Sequence, residues 1–218
     1  TLYLCYLGDG NNEINIASLN TSTNTWSAAY QIPGQSATYA TLCAETVGGK
    51  EQLAVYYVGN NSKGWILKAY NTNPESSSDW NTNNFLYNNG GSYLTASGPI
   101  VAAQYNGQTY LTYQGGTIGS PSSEIYLATA STADLNNGDD WAQQTVVNPQ
   151  VTTGLGLSAA ADGLTLTYGN SSQANALQVS RLTPATTTTV TVQSPTALNL
   201  PTNLSNNISV IPPVAGVS

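Results

Sequence analysis

A short tyrosine-centred run recurs four times along this chain, and that recurrence limits the fold more than any other property of the sequence. Residues 3–8 read YLCYLG, 54–59 AVYYVG, 110–115 YLTYQG and 165–169 TLTYG. The shared tyrosines, Tyr6, Tyr57, Tyr113 and Tyr168, are spaced by 51, 56 and 55 residues. Apolar and polar residues alternate within each run, which is the period of a strand and not of a helix. Each run is followed, past a loop of Gly, Asn and Ser, by a second alternating segment: Ile14-Asn15-Ile16, Trp65-Ile66-Leu67, Ile125-Tyr126-Leu127 and Leu177-Gln178-Val179. A third run opens at Trp26, Trp80 or Trp141, or at 187–192 in the last copy. A further strand pattern precedes three of the tyrosine runs at Leu42–Thr46, Ile100–Gln104 and Leu157–Ala161, joined to them by Gly48-Gly49, Asn106-Gly107 and Asp162-Gly163. Such dipeptides are hairpin signals.

One repeat is therefore four antiparallel strands, a to d, in about 50–56 residues, and four-stranded sheets repeated in series are the sequence sign of a β-propeller. The chain enters at strand b. Its C-terminal segment Asn207-Ile208-Ser209-Val210-Ile211 has the pattern of the missing strand a. The expectation is an all-β, four-bladed β-propeller of four-stranded antiparallel blades, closed by the C-terminal strand pairing with the N-terminal blade. Blade 1 takes 1–32 plus 206–212, blade 2 39–92, blade 3 97–148 and blade 4 153–196. Either one chain closes the ring or two chains swap the terminal strand, so the particle is a monomer or a homodimer.

Composition then removes whole classes of function. Only 7% of the 218 residues are charged, and the net charge is −7. Four scattered bases, Lys50, Lys63, Lys68 and Arg181, cannot track a run of phosphates, so no nucleic-acid partner is expected. The same scarcity opposes docking on an anionic membrane, and no apolar run is long enough to insert into one. The chain holds no His, which excludes Ser-His-Asp and Cys-His catalysis and His-ligated zinc or haem. The loop Gly8–Glu13 is rich in oxygen ligands but lacks the EF-hand spacing, so no metal and no other cofactor is assigned. Thr1 reads as a processed or trimmed end. With sequons at Asn20, Asn60, Asn170, Asn203 and Asn207, the expected location is outside the cell. Cys5 and Cys43 fall on adjacent blades, where they form either one bridge or two buried thiols.

Segments 14–27 (INIASLNTSTNTWS) and 125–142 (IYLATASTADLNNGDDWA) resemble the blades of sialidase-like and tectonin-like propeller proteins, whose Asp-box runs from a strand through a Ser/Asp/Gly turn into Trp. The likeness covers nearly the whole chain. It implies a secreted, multivalent lectin with no catalytic residues, binding neutral glycans. The Arg-Glu-Trp sets of fucose-binding propellers are absent. The ligand-binding residues expected in the loops are Asp9, Asn12, Glu13, Asn61, Trp65 and Glu124. Trp65 stands out because the other copies carry Ile14, Ile125 and Leu177 at its place; Trp26, Trp80 and Trp141 are read as packing between strands. Two other readings stand beside the lectin. One is a glycoside hydrolase or lyase on the same scaffold, which needs two acids converging near Glu45, the acid offered by the innermost strands. The other is a structural or protein-binding propeller without sugar affinity.

Overall fold

The computed structural model describes residues 1–131, 135–136, 141–147, 151–170, 176–184, 190–192 and 196–198. All regular structure among them is β, and all strand pairing within the sheets is antiparallel. The strands are β1 (Leu2–Leu7), β2 (Glu13–Asn20), β3 (Thr25–Trp26), β4 (Tyr30–Val47), β5 (Lys50–Gly59), β6 (Ile66–Asn71), β7 (Asn81–Phe85), β8 (Ala96–Tyr105), β9 (Gln108–Thr117), β10 (Ser120–Ser131), β11 (Ala142–Val147), β12 (Val151–Ala160), β13 (Gly163–Asn170), β14 (Ala176–Pro184), β15 (Val190–Val192) and β16 (Thr196–Leu198).

They fall into four packets that follow the repeat. β4 belongs to two of them. Its first part pairs with β2, with Tyr30 opposite Ile16 and Ser36 opposite Glu13. Its second part pairs with β5 from Ala37–Gly59 to Val47–Lys50. This shared strand fuses the first two packets into one seven-stranded sheet; a four-stranded sheet (β11-β10-β9-β8) and a five-stranded sheet (β12 to β16) follow. The first strands of successive packets, β4, β8 and β12, lie beside one another. The hairpins before the tyrosine strands turn where the dipeptides require it: Gly48 and Gly49 have φ of 57° and 77°, Asn106 and Gly107 48° and 72°. Positive φ at both central residues gives the tight turn whose twist suits paired strands.

The recurring tyrosines explain how the packets adhere. Tyr57 lies in the cluster between packets 1 and 2 with Ile14, Ile16 and Val55. Tyr113 lies between packets 2 and 3 with Tyr56, Val58 and Leu111, and Tyr168 lies between packets 3 and 4 with Ile125, Leu127 and Leu166. Each tyrosine thus points back at the preceding packet. Burying one such side chain stabilises by roughly 1.5–3 kcal/mol. The recurring tryptophans follow the same rule. Trp141 is fully buried, edge-on to Tyr56 at 5.8 Å, and Trp80 is 8% exposed with its Nε1–H donating to Tyr30 Oη at 3.4 Å.

Trp26 departs from the expected interstrand packing: it is 51% exposed. The physical reason is that the first packet has no predecessor among the described residues. The tail strand expected over 207–211 lies outside the described residues, and among these no strand pairs with the free edge of β1. The cysteines are unbridged. They lie at different interfaces: Cys5 packs toward the cluster between packets 1 and 2 and Cys43 toward the one between packets 2 and 3.

Candidate functional site

The b–c loops of packets 1 to 3 sit at one end of the packets and the a–b turns at the other. The loop residues expected to bind ligand share the first end. Asp9 is exposed; Asn12 takes a left-handed φ of 56° and its carbonyl accepts Ala37 N–H at 2.8 Å. Glu13 is half-buried and accepts from Asn11. Asn61 is spent on its own loop, its Oδ1 accepting Lys63 N–H at 2.9 Å. Glu124 is half-buried and accepts from the Tyr126 hydroxyl two residues along its strand. The half-buried Trp65 stacks on Tyr93, with centroids 5.0 Å apart, and meets Phe85 edge-on at 5.5 Å. Tyr87 also packs against Tyr93, with centroids 4.6 Å apart. Local loop bonding and mutual aromatic packing therefore occupy most of these groups.

Glu45 lies near the opposite end and is closed off. Its side chain and that of Lys68 have no solvent-exposed surface, and their ion pair measures 2.8 Å. Oε2 also accepts Gln52 Nε2–H at 2.9 Å, while Oε1 accepts the hydroxyls of Tyr56 and of Thr109, the latter at 3.2 Å. Lys68 Nζ donates further to Leu135 O at 3.2 Å and Asn136 Oδ1 at 3.1 Å. All three ammonium protons and four carboxylate acceptor positions are thus used, as burial of charge demands. Burial holds the Lys68 amine below its ordinary value, with the carboxylate opposing the shift, and lifts Tyr56 well above its own. None of Glu45's hydrogen-bonding partners is an acid. The cluster ties packet 2 to packet 3 and offers no lone pair or proton to a substrate.

Two cavities among the described residues lie at this same end, between packets 1 and 2. One cavity of about 400 Å³ is lined by Thr1, Tyr3, Thr46, Glu51, Gln52 and Thr72, with Glu45 beneath it. A second, of about 500 Å³, is lined by Thr1, Ser18, Asn20, Thr25, Trp26 and Glu75. The wall between them carries Glu75 in the loop after β6. Tyr3 Oη donates to its Oε1 at 3.0 Å and Ser18 Oγ to its Oε2 at 3.2 Å. Burial, together with the hydrogen bond and charge of Glu75, pushes the Tyr3 phenol up to about 12, so the hydroxyl stays a donor. Two exposed carboxyl groups therefore stand at this end, Glu51 on the first cavity and Glu75 on the second. From the sequence both count among the candidate acids but read as surface solvation and turn chemistry. The register could have pointed to Glu75, since the loop after β6 and the start of β1 lie at one end.

No family model matches the chain, and no curated protein matches it. Among solved structures, the chain is similar to an alpha-L-arabinofuranosidase from Lactobacillus brevis, at 13% identity over 88% of this chain and 69% of that one, with a TM-score of 0.55. A glycoside hydrolase family 43 arabinoxylan arabinofuranohydrolase from Bacillus subtilis, solved with cellotetraose, aligns at 13% identity and a TM-score of 0.48; the chain covers 51% of its length. These neighbours are β-propeller glycoside hydrolases with five blades. The shared fold is the propeller type, as expected. The lectin expectation, with no enzyme activity and sialidase-like blades, is corrected by this comparison: the scaffold aligned with this chain belongs to enzymes that cleave glycosidic bonds.

Proposed function

We propose that this chain is a propeller-type glycoside hydrolase acting on a neutral polysaccharide, with Glu75 and Glu51 as its working carboxyl groups. The alignment of 88% of the chain on an arabinofuranosidase scaffold carries the reading. Hydrolysis needs one carboxyl group to protonate the leaving oxygen and another to act as base or nucleophile. Glu75 suits the second role, because Tyr3 and Ser18 aim both of its oxygens from fixed positions. Glu51, exposed at the start of β5, is the acid. Thr46, Gln52 and Thr72 supply neutral hydrogen-bonding groups for sugar hydroxyls. A chain with 11 acids and four bases repels anionic polymers, so the substrate is uncharged. Its place of work is outside the cell, in keeping with its low charge and its five sequons.

The test is release of reducing sugar from a panel of arabinans, arabinoxylans, xylans and β-glucans, alongside nitrophenyl α-L-arabinofuranoside. Turnover by the native chain is expected to fall about 10²–10⁴-fold in Glu75→Gln and in Glu51→Gln. Absence of turnover on every substrate overturns the reading. Full activity in both variants moves the site elsewhere.

A further inference from the structure

The loop after β6 carries Glu75 and is held on both sides of it. Asn71, the last residue of β6, is 1% exposed, and an amide buried so deeply needs partners for its oxygen and its nitrogen. Its Oδ1 accepts Asn73 N–H at 2.7 Å, the local turn that Asn favours where a strand ends. Its Nδ2–H donates forward to Ser76 O at 3.0 Å. Ser76 N–H in turn donates to Asn73 O at 2.9 Å. Pro74 lies between, with φ fixed by its ring. One buried side chain therefore clasps the backbone before and after Glu75.

A second brace reaches across from packet 1. The Tyr30 hydroxyl donates to Pro74 O and accepts Trp80 Nε1–H at 3.4 Å. Burial lifts the Tyr30 phenol above its ordinary value, with the Trp80 hydrogen bond opposing and the charge of Glu75 adding, so the hydroxyl stays a donor. Tyr3 and Ser18, also of packet 1, take the two carboxylate oxygens. Carboxylate and backbone are thus held by different residues, and the hydrogen bonds of Asn71 and Tyr30 to this loop go to the backbone.

We infer that Asn71 and Tyr30 are positioning residues of Glu75, fixing the loop backbone so that the carboxylate is already in place when a glycosidic bond arrives. This rests on the reading of Glu75 as a working carboxyl group. Misplacing a reacting group by about 1 Å costs about 10²-fold in rate, even when the altered residue never touches the substrate.

Steady-state kinetics on the best substrate of the panel, with amide hydrogen exchange at Ser76, reads the outcome. Asn71→Ala is expected to lower kcat about 10–100-fold and Tyr30→Phe about 3–10-fold, with KM within about twofold and faster exchange at Ser76 in both. In a Glu75→Gln background neither change should cost more than about twofold, whereas in a Glu51→Gln background each keeps its full cost. Residues that only staple packet 1 to packet 2 would cost the same in both backgrounds. Such equal costs, or native kcat in both variants, overturn the inference while Glu75 keeps its role. A native chain without turnover overturns the reading of Glu75 and the inference with it. Should Asn71→Ala unfold, Tyr30→Phe decides by the same criteria, since it removes one oxygen atom and keeps the ring.

Discussion

Replacing Lys68 by Met removes the positive half of a pair that has no access to water. Glu45 Oε2 then keeps Gln52 as its donor, Oε1 keeps Tyr56 and Thr109, and the acceptors Leu135 O and Asn136 Oδ1 each lose a donor. Breaking a buried pair by deleting one partner destabilises by about 3–5 kcal/mol, because the remaining charge has no counterion. In a domain of this length about 1 kcal/mol moves the midpoint by roughly 2–4 °C, so Lys68→Met should melt about 6–20 °C lower. The double change Lys68→Met with Glu45→Gln removes the stranded charge, while the carbonyl of the substituted amide still accepts and the volume is kept. It should recover most of the loss, with a coupling of about 2–3 kcal/mol between the sites. Urea unfolding followed by tryptophan fluorescence gives all three free energies, with Trp141 reporting through its contact with Tyr56. A single variant within about 1 kcal/mol of the native chain would refute the assigned cluster. So would a double variant as unstable as the sum of the singles.

Three further outcomes follow from other parts of the molecule. Trp141→Ala should destabilise by about 3–5 kcal/mol and Trp26→Ala by under about 1 kcal/mol in the isolated chain, although both occupy one repeat position; equal costs in a thermal melt would contradict the packing described. Gly64→Ala should cost about 3 kcal/mol, since φ is +67° and an added Cβ would stand 2.3 Å from Ala96 O, whereas Gly48→Ala, at φ +57° with open space around it, should cost about 1–2 kcal/mol. Stability should also decline in alkali. Burial raises Cys5 to about 12 and Tyr3 lies at about 12, while Cys43, Tyr57 and Tyr113 are raised as well. For these groups the unfolded chain gives up protons first, so their contribution is whole below about pH 9 and is lost as pH climbs toward the folded values. Lys68, lowered by burial, acts in the opposite sense below 10.5 but is a single group against several. A flat denaturant midpoint from pH 8 to 11 would refute this balance.

Much of the strand content was legible because sheets repeat with period two and turns need particular residues. Tyr57, Tyr113 and Tyr168 lie on the strands that the alternation marks, and Asn106-Gly107 turns where it should. Contacts between distant positions were not legible. Glu45 meets residues 52, 56, 68 and 109, which no local pattern joins, so it read as a free acid on an inner strand. Glu75 read as surface decoration because its partner Tyr3 is 72 residues away. The tryptophans shared one explanation in the sequence, yet exposure depends on what stands in front of each packet, and one-dimensional periodicity carries no such information. The aromatic and amide-rich loops suggested a sugar-binding role; whether a scaffold binds or cleaves depends on how carboxyl groups converge, which spacing alone does not show.

The run from Tyr30 to Val47 hydrogen-bonds to β2 through its first part and to β5 through its second. A break where the two pairings meet, between Ser36 and Ala37, would strip partners from both neighbours at once, so the first two packets open as one cooperative block. Amide exchange along β2 and β5 should therefore share a common opening free energy, higher than that of β11 or β15, which among the described strands are paired along one side.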